Sequence, residues 1–134
     1  MVIAADLVTL SLIDGGSSVP IAALRRHELT LSRGLSDATK AAGDGWREVA
    51  VLDRPLSADL RASGVFVSGT AMGLVRAASL EAEPKVFVFD LPGDGIWQGS
   101  FYVSTLTISG QSEDEMMFSL RLTSTGAVAF TAHP

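Results

Sequence analysis

The chain has 134 residues, no cysteine and a formal net charge of -5, from ten Lys and Arg against fifteen Asp and Glu. That length suits one domain, 1–134, with a core that needs no disulfide or thiolate-metal staple, and the acidic balance lacks the basic footprint of a protein that grips nucleic acid. Apolar residues make up 47%, yet no run approaches the ~18 to 20 of a membrane span, and the first thirteen residues lack a basic signal-peptide start; the surplus is expected to be buried between subunits.

From the N-terminus, Val8, Leu10 and Leu12 alternate with Leu7, Thr9 and Ser11, and Asp14-Gly15-Gly16 follows as a hairpin turn. His27, Leu29 and Leu31 alternate in turn with Arg26, Glu28, Thr30 and Ser32. Both stretches read as half-buried strands. The polar, Gly- and Ala-rich run from Ser36 to Gly45 has no periodicity and falls inside a long loop at about 34–46. Loops of that length in compact domains are usually functional or ordered by a partner. Trp46 follows it directly, either anchoring the loop on its own core or anchoring an interface, where Trp and Arg are enriched.

Strand character resumes from Ser57 to Val67. Ser68 or Thr70 is placed to cap a helix at about 69–80, with Ala71, Leu74, Val75 and Ala78 on one face and Arg76 and Ser79 off it. Val86 to Leu91 is apolar on both faces, as expected for a strand covered by that helix, and Pro92-Gly93-Asp94-Gly95 is a turn. Between Trp97 and Ser109 the apolar phase changes, which a bulge near Ser104 and Thr105 would absorb. After a polar turn at Gly110 to Glu115, Met116, Phe118, Leu120 and Leu122 alternate cleanly; Gly126 then breaks the run before a last short strand holding Val128 and Phe130. About eight strands and one helix indicate a mainly β domain of two packed antiparallel sheets, a sandwich or barrel with a flanking helix.

Convergent chemistry is missing. His27 reads as a half-buried strand residue and His133 as part of a frayed tail, and neither has partners at metal-ligand spacing. Gly93, Gly95 and Gly99 have the wrong spacing for a dinucleotide fingerprint and precede a strand, not a helix. Glu113, Asp114 and Glu115 lack the twelve-residue calcium-loop pattern. No Gly-x-Ser-x-Gly elbow or triad context exists. No catalytic residue, cofactor or metal is therefore expected, and the protein reads as a non-enzyme.

Four ordered elements carry a resemblance. They are Gly45-Trp46-Arg47-Glu48 after a polar loop; Ser63-Gly64-Val65-Phe66 with a helix ending near Arg76-Ala77-Ala78; Leu91-Pro92-Gly93-Asp94-Gly95 with Gly99-Ser100-Phe101-Tyr102-Val103; and the ending from Ser119 to Thr131. In this order the chain resembles the major tail-tube proteins of siphophages and gene transfer agents. It departs from them at Arg33-Gly34, where relatives often carry an acidic and a small polar residue, and at a less acidic helix start, Ser68-Gly69-Thr70.

The resemblance implies a structural virion protein, made in the bacterial cytoplasm and located in the virion tail, with no membrane insertion of its own. It implies homohexameric rings stacked into a tube, each subunit giving strands to a barrel around the channel. The implied partners are the tail terminator, distal tail or baseplate proteins, and the tape-measure protein followed by DNA in the lumen. Candidate interface residues are Asp37, Thr39, Lys40, Asp44, Trp46, Arg47 and Glu48. Six copies at -5 give a formal -30 per ring (6 × -5), so an acidic, DNA-repelling wall is expected. Two other readings stay open: the tube of a contractile secretion system, and a small β-sandwich binding module, which would need more exposed aromatics than Tyr102 and two tryptophans.

Overall fold

The computed structural model describes residues 2–33, 35–37, 49–51 and 56–133. After a short 3-10 turn at Ala5–Leu7, the elements are β1 (Thr9–Asp14), β2 (Ser17–Pro20), β3 (Leu24–Ser32), β4 (Leu35–Asp37), β5 (Val49–Val51), β6 (Ser57–Val65), α1 (Thr70–Glu81), β7 (Lys85–Leu91), β8 (Gly95–Ser109) and β9 (Met117–Ala132). The domain is mainly β, and the expected two sheets are replaced by one. Seven strands run β2-β1-β7-β8-β9-β6-β3, all neighbours antiparallel, with β4 and β5 as a separate two-stranded pair.

One sheet can enclose a core here because β8 and β9 are long and β7 and β6 are staggered along them. β7 pairs only with Gly95 to Phe101 of β8, whereas β6 pairs only with Met117 to Thr123 of β9. The sheet thus has two halves, β2-β1-β7 with the near part of the β8–β9 hairpin, and β3-β6 with its far part. The halves face each other: His27 on β3 meets Phe89 on β7 edge-on, with ring centroids 5.7 Å apart. Buried Leu10, Leu12, Phe87, Phe89 and Phe101 from one half join Leu60, Phe118, Leu120 and Leu122 from the other in a single cluster. Alternation in sequence reports that each strand buries one face, and it is silent on whether two facing layers are hydrogen-bonded into one sheet.

The fold depends on two irregularities in the β8–β9 ladder. The register shifts between Val103 and Thr105, at the position the phase change requires, so that Phe101 and Val103 share an inward face with half-buried Leu106. The Ser104 hydroxyl donates to the Arg121 carbonyl at 3.0 Å and receives the Thr123 hydroxyl at 3.1 Å. The second shift lies between Gln98 and Ser100, opposite Gly126 at φ 79°. Gly126 therefore bends a continuous β9, and the expected separate last strand is its second half.

The Gly15-Gly16 turn forms as read, with φ of 56° and 86°. It returns the chain into β2, a short edge strand whose terminal Pro20 is tolerated because an edge needs no donor on its outer side. The helix begins after Gly69 without a side-chain cap, so neither Ser68 nor Thr70 acts as expected. Met72, Val75 and Ala78 are its buried residues, with Ala71 and Leu74 half-buried beside them. His133 is not frayed: its Nε2 lies 2.7 Å from Asp90 Oδ1 and its amide donates to the Asp94 carbonyl at 3.1 Å.

Candidate assembly surfaces

The polar surface of the second half-sheet follows from strand parity. On β9, Phe118, Leu120 and Leu122 point into the core, which turns Ser119, Arg121 and Thr123 outward. On β6, buried Ala58, Leu60 and Ala62 leave Asp59, Arg61 and Ser63 outside. Register joins these into rows across four strands. One row is Glu28, Arg61, Arg121 and Thr105; its neighbours are Thr30, Asp59, Thr123 and Tyr102, and Arg26, Ser63, Ser119 and Thr107. A shallow depression of about 220 Å³ lies among Arg26, Glu28, Arg61 and Ser119.

This face carries three arginines against two carboxylates, although the chain as a whole is acidic. Arg121 reaches Asp59 at 3.6 Å, while Arg26 and Arg61 form no ion pair among the described residues. The outward positions of β3 and β9 were legible in the sequence, whereas β6 was read only as a strand. The assembly of the four strands into one surface was not legible, because it depends on registers between strands far apart in the chain.

Among the described residues, both edges of the half-sheet are open. β3 pairs on one side only, with β6, and β8 beyond Phe101 has no strand partner on its β7 side among the described residues. An unpaired edge is a template for a strand of another chain. A separate apolar groove of about 420 Å³ is lined by Leu31, Leu56, Trp97, Ala127 and Val128. It lies where the chain leaves β3 and rejoins β6, at the root of the segment holding β4 and β5. Leu31, Leu56 and nearby Phe130 are each 44 to 49% exposed, and Phe130 packs on Trp97 at 4.7 Å between ring centroids.

Of the interface residues expected from the sequence, Asp37 ends β4 with its backbone opposite Val49. Thr39, Lys40, Asp44, Trp46, Arg47 and Glu48 lie outside the described residues. The β4–β5 pairing does revise the loop's start, since Ser36 and Asp37 belong to a strand. Among the described residues no group of three metal-ligating side chains occurs, and no helix is long and apolar enough to cross a membrane.

A sheet with open edges, a polar face and surplus exposed apolar groups is the anatomy of a subunit. The sequence matches the phage tail tube protein family over residues 7–130. The chain belongs to that family. Its fold is similar to a chain in the tail of an empty gene transfer agent particle with C6 symmetry, at TM-score 0.90 and 26% identity, covering 96% of this chain and 98% of that one. It is also similar to a chain in the virion of a native gene transfer agent particle, at TM-score 0.82 and 28% identity, covering 92% and 95%. A subunit of the SPP1 tail tube shares the fold at TM-score 0.64 and 12% identity, covering 94% and 76%. No curated protein matches the chain in sequence. As a member of the tail tube family, the protein has a structural role as its main function.

Proposed function

We propose that six copies of this tail tube protein close into a ring, that rings stack into the tube of a phage or gene transfer agent tail, and that packaged DNA passes through it. The observation that carries this reading is the likeness, end to end, to a tail chain arranged with six-fold symmetry. The open edges supply a physical route: β3 of one copy adds to the far part of β8 in the next, so edges that would otherwise invite aggregation are used up. Four strands from each of six copies give a barrel of roughly 24 strands. With strand spacing of about 4.8 Å and tilt of about 40°, that barrel is on the order of 50 Å across at the backbone. Such a channel admits a nucleic-acid duplex.

In this arrangement the core face of each half-sheet packs on its own subunit and the polar face lines the channel. The 34–46 segment, with Asp37, Thr39, Lys40, Asp44, Trp46, Arg47 and Glu48, contacts a neighbouring copy, and the groove at its root adds apolar area to that contact. The role is structural and not catalytic. Tube ends meet terminator and distal tail proteins, and the tape-measure protein occupies the lumen before DNA does. Negative-stain and cryo-electron microscopy of the purified protein tests the reading. Six-fold rings or tubes are expected; a persistent monomer at high concentration would overturn it.

A further inference from the structure

We infer that Arg26, Arg61 and Arg121 form a cationic band on the channel wall that makes transient contacts with the phosphate backbone of passing DNA. The inference rests on the ring placement proposed above and reverses the expectation of a uniformly acidic wall. Its basis is the register. Arg61 and Arg121 are direct cross-strand partners on one face, an arrangement that is destabilising for like charges. Arg26 lies on the same face, in the adjacent row beside Arg61. Among the described residues, only one of the three is held by a carboxylate, Arg121 by Asp59 at 3.6 Å. Solvation alone does not require arginine here, because the other outward positions of these rows are served by Ser63, Ser119, Thr105, Thr107 and Thr123.

The partner that suits such a band is a polyanion with continuous charge. Six-fold repetition would set guanidinium groups all around the channel, and duplex DNA presents one charge per about 1.7 Å of its axis in any rotational setting. Guanidinium groups bind phosphate with bidentate geometry. Because Glu28 lies in the row of Arg61 and Arg121 and Asp59 in the next row, each contact is shared and weak, which lets the duplex slide. Association of this kind weakens steeply with salt through counterion release.

The test uses whole particles carrying native protein or the double variants R61Q/R121Q and R61K/R121K, with R76Q on the exposed face of α1 as control. Release of packaged double-stranded DNA is triggered and timed across a range of salt concentrations, and tubes are imaged in parallel. Native tubes are expected to release DNA faster as salt rises. R61Q/R121Q, lacking two of three arginines, should form normal tubes whose log-rate against log-salt slope is lower by about two-thirds; R61K/R121K and R76Q should keep the native slope. Normal R61Q/R121Q tubes with an unchanged slope would overturn the cationic band and leave the tube reading intact. Folded R61Q/R121Q subunits that form no tubes would put this face between subunits, overturning the channel placement itself. Tubes of altered length with an unchanged slope would assign the face to a protein occupant and also overturn the inference.

Discussion

The Ser104 hydroxyl donates to the Arg121 carbonyl at 3.0 Å, and this bond closes the bulge that keeps both parts of β8 facing one core. Without the extra residue, every side chain beyond it would exchange faces. Deleting Ser104 is therefore expected to turn Leu106 to the outer surface and abolish cooperative unfolding. Ser104→Ala keeps the residue count and removes only hydrogen bonds at an exposed site, costing about 1 kcal/mol. Urea denaturation followed by circular dichroism separates the two outcomes.

Gly64 is placed where β6 pairs with the start of β3, opposite Leu24. A Cβ there would collide with the backbone carbonyl of Ala23, the same carbonyl that accepts the Val65 amide at 3.1 Å. A backbone atom cannot swing aside as a side-chain tip does. Gly64→Ala should cost about 1 to 3 kcal/mol, the range for forced overpacking, and should displace the start of the edge strand proposed to join the next subunit. Denaturant midpoints measure the first effect and sedimentation velocity the loss of assembly.

Phe101 is 1% exposed and meets Phe87 edge-on at 6.2 Å between centroids. It is the last β8 residue paired with β7, so it sits where the two half-sheets part. Phe101→Ala is expected to destabilise by about 3 to 5 kcal/mol, and Phe101→Leu by much less because most of the volume is kept. Comparable losses for both in thermal denaturation would show that packing volume at this junction matters little.

Trp46 belongs to the segment proposed to contact a neighbouring copy. Trp46→Ala should leave the folded subunit's denaturation midpoint within about 0.5 kcal/mol of native, as for a surface change, while abolishing tubes in electron micrographs. A large loss of subunit stability would instead identify Trp46 as an anchor on its own core.

Strand by strand, the sequence determined a good deal. The period-two runs at Val8 to Leu12, His27 to Leu31 and Met116 to Leu122 placed the inward faces, although Leu31 and Met116 at the ends of their runs are exposed. Asp14-Gly15-Gly16 placed a turn, and the phase change before Leu106 placed a bulge near Ser104 and Thr105, where the register shifts. These features are local, set by backbone sterics and by which side chains must leave water. The ordered elements from Trp46 to Thr131 pointed to the tail tube family, which the family match over residues 7–130 establishes.

Tertiary structure decided what depends on pairing between distant strands. It joined the two expected layers into one sheet, since the stagger of β7 and β6 along the β8–β9 hairpin has no local signature. It pinned His133 to Asp90, 43 positions away. It also brought Arg26, Arg61 and Arg121 onto one surface from three strands. Net charge is a sum over the whole chain, whereas the charge of a face depends on register. An acidic sequence therefore gave no warning of a face richer in arginine than in carboxylate.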